Sequence, residues 1–179
     1  MERKTQVEEV FIKGINKSFE RINKVSSSKW FLKNFSTGIK GGDFESVSVY
    51  LISDKKDVAI VFVIKKDDVY ELVKFFVGRN IDNIFSSSKF YEFVVCEIGN
   101  IILNSIISEI ANYIGVKIIP NVPAVLNGYK NFILENLSLM IEENLNKTIF
   151  LLDIVSNVEN KNIEMEVYVM LSPEIVKKL

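Results

Sequence analysis

Apolar residues recur at helical spacing over residues 5–24, where Val7, Val10, Phe11, Ile15, Phe19 and Ile22 share one face. This predicts a first long helix. The stretch "SSSKWF" breaks the pattern and begins an extended segment that runs to Gly38, before the turn residues Gly41, Gly42 and Asp43. "SVSVYLIS" and "VAIVFVIK" are β-branched runs joined by "DKKD", which predicts a hairpin. "DDVYELVKFFVG" predicts a short helix, with Asp67 or Asp68 as N-cap and Gly78 as its stop. Helical periodicity returns from about Ser88 to about Ile114, followed by extended "VKIIP" and "NVPAVLNG". "NFILENLSLMIEENL" fits a strand or a helix, and period alone does not decide between them. "KTIFLLDIVS" and "IEMEVYVMLS" predict a second hairpin across "NVENKN", and Ser172-Pro173-Glu174 starts a short terminal helix.

The order long helix, strands, short helix thus occurs twice. It points to one domain over 1–179 with an internal duplication, roughly 5–84 and 85–179. The near-identical "SSSKWF" and "SSSKFY" do not mark this repeat, because the first follows its helix and the second precedes its own. A better alignment sets "KGIN" (13–16) against "EIGN" (97–100).

On a wheel of about 100° per residue, Val95, Ile98, Ile102, Ile106 and Ile110 form an apolar stripe of the second long helix. Glu97, Asn100, Asn104 and Ser108 form a narrow polar line roughly opposite, flanked by Ile101 and Ile107. An amphipathic helix facing water would look similar. A solvated face, however, usually carries Lys and Glu, whereas Asn is a poor helix-interior residue and this line has two. A polar line between exposed isoleucines fits a docking surface with a chemical group at its centre.

Composition narrows the chemistry. The chain has 179 residues, 48% hydrophobic and 25% charged, with net charge −1, which suits a globular domain with a real core and gives no pull toward nucleic acid or anionic lipid. The start "MERKTQVEEV" has no signal-peptide core, and the longest uncharged apolar stretch lies between Glu97 and Glu109, too short to span a bilayer. A cytoplasmic protein is expected. With no histidine and one cysteine, Cys96, Ser–His, Cys–His and His-ligated metal chemistry is excluded within the chain, as is an internal disulfide. Asp67-Asp68 reads as a helix cap rather than a metal site, Cys96 as a small packed hydrophobe, and the scattered aromatics, Trp30 included, as core. A sugar-active carboxylate pair is disfavoured, because no close Asp/Glu pair sits beside a plausible pocket segment.

The segment "EIGNIILNSIISEIANYIGVKIIPNVP" resembles the CheC–CheX–FliY family of chemotaxis phosphatases. The family signature is Asp or Ser, three residues, Glu, two residues, Asn, twenty-two residues, Pro; Glu97, Asn100 and Pro123 fall on that spacing. Phe93 occupies the leading Asp/Ser position, a departure from the pattern. The resemblance implies a pseudo-two-fold α/β (α+β) fold, a largely antiparallel sheet packed by two long helices. It also implies a substrate, a phosphorylated CheY-type response regulator. Glu97 would pair with the regulator's active-site lysine, and Asn100 would orient a water in line with the aspartyl phosphate. Mg²⁺ would come from the regulator, so no cofactor or metal is expected in this chain. Ile101 and Asn104 would contact the regulator, and Pro123 would set a bend or edge-strand start. An acyl phosphate needs positioning and charge stabilisation more than a strong base, and a carboxamide can hold a water through either of its ends.

In the first helix Lys13 stands where Glu should be and Ile39 where Pro should be. A lysine would repel the regulator's lysine, so this site is read as lost, Asn16 with it, and Lys13 as a plain surface charge. The competing function class is a non-catalytic CheC-like adaptor that binds CheD or a flagellar-switch partner. A homodimer is as compatible with the sequence as a monomer.

Overall fold

The computed structural model describes residues 2–26, 28–77, 88–141, 146–159 and 161–179. Helix α1 (Glu2–Val25) is followed by strands β1 (Lys29–Thr37), β2 (Glu45–Ile52) and β3 (Val58–Lys65), a 3₁₀ turn (Lys66–Asp68) and α2 (Val69–Val77). Then come α3 (Ser88–Ile114), β4 (Ala124–Tyr129), α4 (Lys130–Met140), β5 (Thr148–Val158), β6 (Lys161–Leu171) and α5 (Pro173–Lys178). The strands form one antiparallel sheet in the order β1-β5-β6-β3-β2-β4. Exchanging β1, β2 and β3 for β4, β5 and β6 turns this order into its own reverse, the topological mark of a pseudo-two-fold with β3 and β6 at its centre.

Helices α1, α2 and α3 cover one face of the sheet. Their apolar stripes meet Val47, Val49 and Leu51 of β2, Ile60, Phe62 and Ile64 of β3, and Val167 and Val169 of β6 in one core. All six periodic apolar residues of α1 are buried. The alternate residues Ala59, Val61, Val63, Tyr168 and Met170 face the other side, where α4 covers them with Ile133, Leu134 and Leu137. Covered on both faces, the central strands read as continuous apolar runs rather than alternating ones. This settles the ambiguous segment after Tyr129: its first part is α4, a helix with no counterpart in the first half.

Two glycines bring α3 close to its neighbours. A Cβ on Gly99 would lie 2.7 Å from Val49 Cβ on β2, and a Cβ on Gly14 of α1 would lie 2.8 Å from Ile106 Cα on α3. Backbone packs directly against side chain or backbone at both points, so α3 is held between α1 and the sheet. Its span Lys89–Ile114 is long and apolar enough to cross a bilayer by length and composition, contrary to the sequence expectation. Most of it is nonetheless buried between α1 and the sheet, which makes it a core helix.

Other expectations need correction. Asp67 and Asp68 end a 3₁₀ turn that the sequence did not suggest, and Asp68 immediately precedes the first residue of α2. Gly78 lies outside the described residues. Ser172 does cap α5, accepting a hydrogen bond from the Ile175 amide. The aromatics are not uniformly core: Trp30 is buried, but Phe31, Tyr70, Phe93, Tyr113, Tyr129 and Phe132 are exposed.

Candidate functional site

The site is built on the outer face of α3. Val95, Ile98, Ile102, Ile106 and Ile110 are fully buried against α1 and the sheet. Helical geometry then turns Phe93, Glu97, Asn100, Asn104 and Ser108 outward on one line. Glu97 and Ser108 are exposed, and Asn100 and Asn104 half-buried. Phe93, one turn before Glu97, is 61% exposed and extends the line as an apolar tip. The shoulders differ from expectation. Ile107 is buried, and Ile101 is half-buried against the core rather than freely exposed. The polar line is therefore flanked by packed side chains.

Glu97 makes no ion pair or side-chain hydrogen bond among the described residues. Its negative charge acts on Cys96: burial first, then the Glu97 carboxylate, push the Cys96 thiol above its ordinary value. Cys96 thus stays a neutral, half-buried thiol and a poor nucleophile. Asn100 is fixed from one turn further on. Asn104 Nδ2 donates to the Asn100 backbone carbonyl at 3.1 Å and also to Asn100 Oδ1. Pro123 is half-buried and immediately precedes β4, the edge strand that pairs with β2.

The outward line runs between two depressions, the first of which Asn104 helps to line. Beyond Asn104, a groove of about 490 Å³ is lined by Ser108, Asn112, Lys117 and Pro120 among others. Before Phe93, a cleft of about 320 Å³ lies between α2 and β4, where Asn127 Nδ2 donates to Glu92 Oε1 at 2.8 Å. Neither is lined by Glu97 or Asn100. Residues raised on a helix can act on a group only if the other molecule supplies the concave half of the site.

The corresponding line on α1 is differently occupied. Asn16 is exposed. Lys13 is not a plain surface charge: its Nζ lies 3.0 Å from Glu109 Oε2, and Lys17 bonds the other carboxylate oxygen. Glu109 sits on the α1-facing side of α3 and is only 4% exposed. The Lys17 hydrogen bond, ahead of that from Lys13, holds its carboxyl below the usual range despite burial. Sequence reasoning missed this acid; the signal was a Glu set among the apolar residues of α3, away from the polar line, with Lys13 and Lys17 one turn apart on α1.

A second polar cluster lies on the opposite sheet face beside α4. Lys130 is fully buried, its Nζ 3.2 Å from Glu166 Oε2 and donating to the Lys40 carbonyl at 3.0 Å, with the Phe44 ring 4.9 Å away. Tyr168 Oη donates to Glu166 at 2.7 Å, and Lys40 Nζ to Asp153 at 2.8 Å. Burial, then the Glu166 hydrogen bond, drive the Tyr168 phenol far upward, so it remains a donor. Cation and acid are matched here, and the cluster reads as an internal brace for α4 and the β1–β2 loop. Among the described residues no group of three or more His, Cys, Asp or Glu could hold a metal ion.

No family model and no curated protein matches the chain. Solved structures do. FliY of Thermotoga maritima superposes with a TM-score of 0.67 at 16% identity, over 99% of this chain and 93% of that one. The fold is that of the CheC, CheX and FliY proteins. CheX of Desulfovibrio desulfuricans matches with a TM-score of 0.64 at 12% identity, over 93% of this chain and 99% of that one. The FliM middle domain of H. pylori shares the same architecture, with a TM-score of 0.68 at 10% identity over 99% and 98% of the two chains. The CheC-like fold thus carries both chemotaxis proteins and a flagellar-switch domain.

Proposed function

We propose that the protein is a phosphatase of a phosphorylated response regulator of the CheY type. The observation that carries this reading is the outward pair Glu97 and Asn100 on the ridge of α3. The acid has no ion partner among the described residues, and the amide is bonded by Asn104 one turn further on. The ridge enters the regulator's concave site. Glu97 pairs with the lysine there, and Asn100 holds a water in line with the aspartyl phosphate. The regulator brings its own Mg²⁺, and this chain supplies orientation. Restricting a water to a near-attack position is worth several kcal/mol, about 7 or more in favourable intramolecular cases, and a loose phosphoryl transition state asks for little else. The absence of histidine is no obstacle to this chemistry. Ile101, Asn104 and exposed Phe93 border the pair and form the rest of the contact. Such a protein works in the cytoplasm with its regulator, and CheD is a candidate second partner.

One observation favours a second reading, a non-catalytic adaptor. Phe93 replaces the polar residue of the leading motif position and places an exposed aromatic beside Glu97, as suits a protein-binding ridge. The FliM-like architecture accommodates such a role. Release of inorganic phosphate from a phosphorylated CheY-type regulator, with and without this protein, separates the two. Acceleration supports the phosphatase, whereas binding without acceleration supports the adaptor.

A further inference from the structure

Asn104 does more than border the site. Its Nδ2 donates to both oxygens that Asn100 offers, the backbone carbonyl at 3.1 Å and the side-chain Oδ1. We infer that Asn104 is a positioning residue, which locks the Asn100 carboxamide so that its Nδ2 faces outward as a donor, with one Oδ1 lone pair left free. The inference rests on Asn100 being the water-orienting group.

A carboxamide has two chemically opposite ends on a soft terminal torsion. An Asn alone on a helix would present either end, and a water held by the amide would sample two orientations. Asn104 removes that choice. Its own amide is tied to the backbone of the preceding turn, so the donor that reaches Oδ1 is itself fixed. The arrangement needs an amide at both positions one helical turn apart. This explains why a helix interior tolerates two asparagines, residues that weaken helices. On α1 no equivalent lock exists: the residue four after Asn16 is Glu20, a carboxylate that cannot donate.

The test compares Asn104→Ala, Asn104→Asp, Asn100→Ala and the Asn100→Ala/Asn104→Ala double variant. Each is measured for phosphate release from a phosphorylated CheY-type regulator with Mg²⁺, and for binding to the same regulator carrying beryllofluoride. Asn104→Ala is expected to lower kcat about tenfold, with a smaller change in KM and binding, since Asn104 also borders the contact. Asn104→Asp, which accepts instead of donating and so turns the Asn100 amide around, should lose at least as much. The double variant should be no worse than Asn100→Ala alone. The side-chain ¹⁵N order parameter of Asn100 should fall in Asn104→Ala, independently of activity. Full kcat in both Asn104 variants, or raised KM at unchanged kcat, overturns the inference while Asn100→Ala remains inactive. If Asn100→Ala keeps wild-type activity, or the wild-type chain has none, the parent reading fails and this inference with it.

Discussion

Lys13 Nζ of α1 lies 3.0 Å from Glu109 Oε2 of α3, so the residue at the first helix's vacant motif position is tied into the helix–helix seam. Lys17 completes the clamp on the same buried carboxylate. Because the folded carboxyl is held below its unfolded value, the clamp stabilises the protein above about pH 4.3 and is lost as pH falls through the folded value. Urea unfolding of wild type and Glu109→Gln should therefore differ at neutral pH and converge as the pH falls through the lowered folded value. Lys17→Ala should cost more than Lys13→Ala, since Lys17 makes the larger contribution. A stability difference that grows on acidification would contradict this.

Gly99→Ala would bring a Cβ to 2.7–2.9 Å from three carbons of Val49. The packed sheet beneath leaves little room, and a loss of about 1–3 kcal/mol is expected. The displacement falls next to Asn100, so phosphate release should drop in a variant that remains folded by circular dichroism. A variant as stable as wild type would show that α3 does not sit this close to β2.

Lys130→Met removes one partner of a fully buried ion pair and leaves Glu166 with Tyr168 and the more distant Lys40. Truncating such pairs costs about 3–5 kcal/mol. Denaturant titration should register that loss, while binding at the α3 ridge stays unchanged because the cluster lies on the other sheet face. Lost binding in a folded variant would link the two faces.

Glu97→Ala should weaken binding to the beryllofluoride-loaded regulator by about 1–3 kcal/mol, with the effect shrinking as salt is raised. Thermal stability should not change, because the carboxylate has no ion partner among the described residues. Asn16→Ala on the opposite helix should alter neither binding nor turnover. If Asn16→Ala abolished activity instead, the live ridge would be the one on α1.

Much of this fold was legible in the chain because each element carries its own period. The stripe in α1, the paired β-branched runs and the Ile stripe of α3 each name the face they bury. The polar line of α3 could be read from spacing for the same reason. What escaped were features that depend on tertiary neighbours. Glu109 and Lys130 are buried only because lysines on α1 and an acid on β6 meet them. Ile107 is covered only because of how α3 is seated on its neighbours. Residues 130–140 have no distinctive period and become a helix because the sheet face below offers Val61, Val63 and Tyr168 to cover. Asn104's bond to Asn100 is local, one turn along the same helix. It went unread because spacing places the two amides together without saying which atom faces which.

The most direct measurement is the rate of inorganic phosphate release from a phosphorylated CheY-type regulator with Mg²⁺, in the presence of wild type or Asn100→Ala. Wild type should accelerate release above the spontaneous rate. Asn100→Ala, folded and still binding the beryllofluoride-loaded regulator, should return it to near that rate. Full acceleration by Asn100→Ala would contradict the account at its centre.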